Sequence, residues 1–316
     1  MVTTYGQLSE EAKPEEDIAR EAANPIDEPF VSIEWVIGKL KEGKFKFREF
    51  YDNCNESEDF YLNRFDFSIP ETGTMLRLGT AQSVVNSLVA HVTPQFIDIS
   101  VPAPGARGQA RAENMEKFLT GANHMIEQFT PTRREIAKHM ALYGIAFEKT
   151  EFSANKWEEF PEPPEDDENI AEYKEKLNDI LDKRNINFPM QSSAVNPKMM
   201  VWDTNNGPNP RWVIHFYEVE AEWVNAHFPN WKGKLTGTVE FVEVWTYSQV
   251  AYMADEKWAL EPKRHGYNTL PFTIYHPNTG LFTEGVKPEE LYRGILHGNF
   301  DMMRAESRLA SQYLDI

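Results

Sequence analysis

Gly38-Lys39-Leu40-Lys41-Glu42-Gly43-Lys44-Phe45 is the run whose residue types come nearest to a known chemistry. It fits G-x-x-x-x-G-K, the spacing with which a glycine-rich loop wraps phosphates and a lysine reaches the terminal ones. Three features weigh against a nucleotide. The eighth position is Phe45, not the Ser or Thr that would hold magnesium. The interior is filled with long charged side chains, and the residues before it have helical spacing rather than strand spacing. A helix interrupted at Gly43 is the better reading.

Other chemistries are no better served. None of the eight histidines has H-E-x-x-H or paired metal-ligand spacing. His139 lies at helical spacing beside Ile136 and Tyr143 and reads as a packed, satisfied histidine. Asp203-Thr204-Asn205-Asn206-Gly207 begins like a calcium loop, but Gly207 stands at the fifth position and no distal Glu follows, so it reads as a turn. No G-x-S-x-G elbow exists. Cys54 is the single cysteine; it can form neither an internal disulfide nor a cysteine-rich zinc site, and it fits a reducing compartment. With fifty Asp and Glu residues, spacing alone selects no carboxylate pair. Trp202, Trp212, Trp223, Trp231, Trp245 and Trp258 crowd the second half, where packing between strands is preferred over stacking on sugars. The chain carries no catalytic or cofactor signature, so a non-enzymatic protein without cofactor or metal is expected.

The elements that must position these residues follow from composition and periodicity. The 316 residues are 41% hydrophobic and 13% aromatic, enough for a substantial core. The net charge of −18 repels nucleic acid and anionic membranes unless basic residues cluster. The N-terminus has no apolar signal region, and no stretch approaches the ~18 uncharged apolar residues of a membrane span. A soluble chain made in the cytoplasm is expected.

Residues 1–30 are acidic with few apolar anchors and read as an arm. From 31 to 157 the pattern is mainly helical: Ile33, Val36, Ile37 and Leu40, then Phe47, Phe50 and Tyr51; next Leu78, Ala81, Val85, Leu88, Val89 and Val92; next Met115, Phe118, Leu119, Ala122, Ile126 and Phe129. Between the last two, "QFIDISVP" alternates and predicts a strand. Residues 158–172 hold eight carboxylates and three prolines, a solvated segment within an acidic insertion over 158–185. Residues 186–284 change to strands, "KMMVWDT", "RWVIHFYEV", "GTVEFVEVWTY", "QVAYMAD" and "LPFTIYH", with a short helix in "VEAEWVNAHFP". The fold class is α+β, with mostly antiparallel strands. Residues 285–316 close on a helix from Pro288 to Leu314, about 40 Å long if continuous.

The stretches "MLRLGTAQSVVNSLVAHVTPQFIDISVP", "AENMEKFLTGANHMIEQFTPTRREIAKHMALYGIAFEKTEF" and "NPKMMVWDTNNGPNPRWVIHFYEVEAEWVNAHFP" come in that order, followed by "VEFVEVWTY" and "RHGYNTLPFTIYHPNTG". Taken together, their order and spacing resemble the portal proteins of tailed bacteriophages, from about residue 31 to the end. The resemblance implies a homo-oligomeric ring, usually of twelve subunits, at one capsid vertex in the virion. Duplex DNA passes through its centre without tight binding. The implied partners are terminase, which hydrolyses the ATP, and the major capsid and head–tail adaptor proteins; no membrane is involved. Portal chains continue beyond a helix placed like this one, so the chain is expected to be the N-terminal part of a longer polypeptide, comprising wing and the start of stem. Alternatives are another head–tail connector or minor capsid protein, or a Trp-rich carbohydrate-active enzyme or binding module using a carboxylate pair.

Under the resemblance the last helix is a stem element. Its apolar residues cover more than half the circumference at 100° per residue. Arg293, Arg304 and Arg308 lie on the remaining polar stripe as candidate DNA-channel contacts. Gly294 and Gly298, one turn apart, with Leu296, Phe300 and Met303, are the candidate inter-subunit packing surface.

Overall fold

The computed structural model describes residues 30–69, 73–93, 99–103, 105, 108–129, 131–153, 161, 170–186, 188–204, 209–267, 269–277, 280 and 286–314. The acidic arm up to residue 29, most of the acidic run at 158–172 and most of the turn at 203–207 lie outside them.

Helix α1 spans Ile33–Lys46. Ser32 caps it, its hydroxyl accepting from Trp35 N–H at 3.2 Å. Val36, Leu40 and Gly43 face inward. The expected interruption at Gly43 does not occur. A Cβ there would run into the Val201 side chain, so the glycine lets α1 approach a strand closely. The helix turns at Phe47 into α2, Arg48–Tyr61, which buries Phe50, Cys54, Ser57 and Phe60. Helix α3, Thr80–Val92, buries Ala81, Val85 and Val89 but leaves Val92 exposed. Helix α4 spans Gln109–Phe129 and α5 Thr132–Tyr143. On α4 the expected face is covered only in part: Ala122 is buried, but Met115, Phe118 and Leu119 are exposed, and Ala112, outside the residues predicted for that face, is buried. Helix α5 ends on Gly144 at φ +74, a left-handed position that glycine adopts without strain.

Strand β1 is Ala146–Phe152, followed by α6, Ile170–Ile186. Then come β2 Met190–Val195, β3 Met200–Trp202, β4 Trp212–Glu220, α7 Ala221–His227, β5 Thr238–Thr246, β6 Gln249–Ala254, β7 Lys257–Arg264 and β8 Phe272–Tyr275. Two helices follow, the single turn α8 Pro288–Leu291 and the longer α9 Phe300–Leu314. One sheet has the order β2-β1-β8 and the other β3-β4-β5-β6-β7, with every pair antiparallel. The fold is α+β, with a helical first half and a strand-rich second half. Asp255 and Glu256 both take positive φ in the tight β6–β7 turn, as a two-residue hairpin requires. Of the strand predicted in "QFIDISVP", residues 95–98 lie outside the described set, and 99–102 join neither sheet.

The core lies where α1, α2, α3 and α5 cover the sheets. Trp202 is at its centre, with Phe47 at 4.2 Å, Phe147 at 4.9 Å and Tyr292 at 5.5 Å between ring centroids. Trp202, Trp231 and Trp245 are buried, and Trp212 and Trp258 pack against the core, as inter-strand packing predicts. Trp223 is the exception, exposed and stacked on His227 at 4.4 Å. A smaller core lies under α7, formed by Ala221, Val224, Trp231, Val239, Phe241 and Ala254. Among the described residues no helix is long and apolar enough to cross a membrane.

Candidate functional site

The Gly38–Lys44 run lies wholly inside α1, where the backbone is helical rather than wrapped as a phosphate loop. Lys44 pairs with Glu240 and sits 4.4 Å over the Phe216 ring. Its charge is spent within the chain.

The closing segment differs most from expectation. The continuous helix from Pro288 to Leu314 is broken: α8 ends at Leu291, residues 292–299 are non-helical, and only the 15 residues of α9 form a long helix. At 1.5 Å per residue α9 spans about 22 Å rather than 40 Å. The cause is close backbone packing that a helix would forbid. Ile295 N–H donates to Ala141 O at 2.8 Å, taking one of the free carbonyls at the end of α5. A Cβ at Gly294 would meet the Leu142 carbonyl, and Gly298 turns the chain at φ +87. The two glycines therefore serve contacts and turns within the chain rather than approach of a second helix. Leu296, at 1% exposure, and Phe300 and Met303, both buried, belong to the chain's own core, so the expectation that they pack between subunits is corrected. Phe300 stacks on Phe60 at 4.7 Å.

The three arginines do not share a stripe. Arg293 lies before α9, with its backbone against Gly144. Arg304 is held by Glu56 at 2.6 Å and Asp301 at 3.1 Å, and its guanidinium lies 4.9 Å over the Phe60 ring. Its hydrogen bonds to Glu56 lead the upward shift of its pKa. Arg308 is exposed and makes no ion pair with any described residue.

Helix α9 turns out to be inverted beyond Met303. Ser307 and Ser311 face inward, accepting from Leu78 N–H at 3.2 Å and Leu76 N–H at 2.9 Å. Met302, Leu309 and Tyr313 point to solvent, 66%, 58% and 79% exposed. They recur at i, i+7 and i+11, one stripe of a helix. Leu314 is also exposed.

A second constellation, missed from sequence, joins the two sheets. Lys149 of β1 reaches Glu243 of β5 at 2.6 Å and Glu151 at 2.9 Å. Glu243 also accepts from Tyr217 O–H at 2.8 Å, and His215 Nδ1 stands 3.6 Å away, beyond hydrogen-bond reach. Burial alone would raise the Glu243 carboxyl, but His215 and the Lys149 ammonium outweigh it and hold it at about 2. Lys149, at 2.6 Å, is by distance the stronger partner. Burial works to neutralise Lys149, and Glu243 and Glu151 reverse this, so its pKa rises. The signal was present: Phe147 and Lys149 share one strand face, as do Phe241, Glu243 and Trp245, so both charges stand at core parity. This arrangement is a buried ion pair with both partners charged. A general acid needs a carboxyl that keeps its proton near neutrality, and Glu243 does the reverse.

A third cluster surrounds Cys54. Tyr143 O–H donates to Glu58 at 2.5 Å, and Lys198 reaches the same carboxylate at 2.7 Å. Burial keeps the Cys54 thiol protonated, so it is a poor nucleophile. Burial likewise lowers His139 to about 4. A cavity of ≈ 10 Å³, lined by Cys54, Ser57, Tyr143, Tyr292, Gly294 and His297 among others, has room for no more than a water-sized group. Among the described residues no group of His, Cys, Asp and Glu could hold a metal ion. No protein-family model matches the chain, and no curated protein matches it significantly.

Proposed function

We propose that the chain is a structural subunit of a ring at a phage capsid vertex, a portal through which DNA is packaged and ejected. The order of helix, strand and turn stretches that resembles the portal family supports this reading. The outer stripe of α9 carries it: Met302, Leu309 and Tyr313 are large apolar side chains left to water on a helix whose inner face is already packed. Such a stripe is the mark of a surface covered by another chain. The net charge of −18 suits a channel wall that lets DNA slide without gripping it. Of the three candidate arginines, Arg308 alone keeps an exposed, unpaired guanidinium for a phosphate, and any channel contact is assigned to it.

Native mass spectrometry and negative-stain imaging test the reading directly. A ring-sized assembly is expected, and Leu309→Glu should dissociate it while leaving the thermal midpoint of the chain within a degree or two, since Leu309 is already largely exposed in the single chain. A protein that stays monomeric at micromolar concentration would overturn the portal reading.

A further inference from the structure

Phe45 on α1 is 82% exposed, the most exposed large apolar side chain among the described residues. Cations flank it. Lys41 lies one turn before it, Lys46 next to it, and Arg48 three residues on, at the start of α2; all three are exposed. The side chains of Lys41 and Arg48 make no ion pair or hydrogen bond with any described residue, and Lys46 reaches only the Thr204 hydroxyl, at 2.6 Å. The neighbouring Lys39 and Lys44 are already engaged, by Glu42 at 2.9 Å and by Glu240. Of the other carboxylates nearby, Glu49 stands 3.8 Å from Lys287, and Glu34 and Asp52 lie at the two ends, two turns before Lys41 and one turn past Arg48. In a chain of net charge −18, three cations free of carboxylates around an exposed aromatic ring are a local reversal of sign.

Gly38 is a second, separate observation. It precedes Lys41 by three residues and Phe45 by seven, the spacing of one helix face. A Cβ there would meet nothing within 4 Å. Helix α1 forgoes about 1 kcal/mol of propensity at this residue, and no packing within the fold calls for it. Bare helix backbone beside Lys41 and Phe45 lets another main chain approach closely.

We propose that this surface binds the chain's own acidic segment from Glu10 to Glu21, with its carboxylates on Lys41, Lys46 and Arg48 and Ile18 against Phe45. Charge and reach select this occupant. Residues 1–29 carry eight carboxylates against two bases, a net charge of −6, and six of the eight lie between Glu10 and Glu21, on both sides of Ile18. The chain from Ile18 to Ser32, the cap of α1, can span at most about 50 Å. The helix carries Phe45 only about 20 Å beyond Ser32. A tethered segment within reach is present at an effective concentration on the order of millimolar, which the same segment of a second copy, or a free acidic partner, does not match at micromolar supply. The proposal is independent of the ring reading above.

Zero-length carbodiimide cross-linking of the intact protein, as an equal mixture of isotopically heavy and light chains, tests it. Links from Lys41 and Lys46 to the carboxylates of Glu10–Glu21 are expected within single chains, all heavy or all light. Lys41→Glu combined with Arg48→Glu should cut the Lys46 links about ten-fold, as should salt, with the thermal midpoint holding because both positions are exposed. Adding Glu15→Lys, Glu16→Lys and Asp17→Lys to that variant should bring links back with amine and carboxylate exchanged. Absence of links, or a Lys46 yield that the two charge reversals leave unmoved, overturns the proposal. Links joining heavy to light chains, links only to a co-purified protein, or lysines that react only after nuclease treatment overturn the choice of the chain's own segment.

Discussion

Lys149 and Glu243 show what a single buried pair does in this molecule. Each is nearly removed from water, and each keeps its charge because the other is 2.6 Å away. Lys149→Met leaves the Glu243 carboxylate buried beside Tyr217 without its cation, at a cost of about 3–5 kcal/mol. Lys149→Met combined with Glu243→Gln should recover a good part of that loss, because the amide is uncharged and still accepts from Tyr217. Urea midpoints of the single and double variants check this; a double variant no more stable than Lys149→Met would show that packing, rather than the stranded charge, sets the loss.

Among the elements, α1 and the strand beneath it are tied by Gly43. Helix propensity favours alanine there by about 1 kcal/mol. The space does not, since the new methyl would run into Val201. Overpacking of this kind costs about 1–3 kcal/mol. Gly43→Ala should therefore destabilise the fold despite the better helix former, and adding Val201→Ala should return part of the loss. Thermal denaturation of the two variants measures it, and a stabilised Gly43→Ala protein would refute the close-approach account. Helix α9 teaches the opposite lesson. Its apolar stripe and its serines exchange the faces that periodicity assigns them, because the backbone N–H groups of Leu76 and Leu78 needed acceptors more than the helix needed another apolar contact.

For the whole molecule, two strongly depressed groups, Glu243 and His139, make folding sensitive to acid. Glu243 sits at about 2, below an ordinary carboxyl, so its contribution is present above ~4.3 and is lost as pH falls toward 2. His139 sits at about 4, below an ordinary imidazole. The unfolded chain takes up that proton first, so stability also declines between about pH 6.5 and 4. Urea midpoints across pH 3 to 7.5 should show both limbs, and His139→Leu should flatten the upper one. A His139→Leu profile that falls as steeply as the wild type between pH 6.5 and 4 would remove His139 as the cause.

Periodicity and composition by themselves determined the α+β class, α1 and α2 with their buried Val36, Leu40, Phe47 and Phe50, strands β3, β4, β5, β6 and β8, and the inward packing of five of the six second-half tryptophans. These rest on local backbone preference and on apolar area, which one chain segment carries alone. Tertiary structure decided the rest. The break at 292–299 exists because the carbonyl end of α5 took up Ile295 N–H, an event between residues 154 apart in sequence that no window on the C-terminal stretch contains. Met115 and Phe118 match Val85 and Val89 in helical pattern, yet the first pair is left to water. Periodicity states which residues share a face, whereas burial depends on whether another element arrives to cover it.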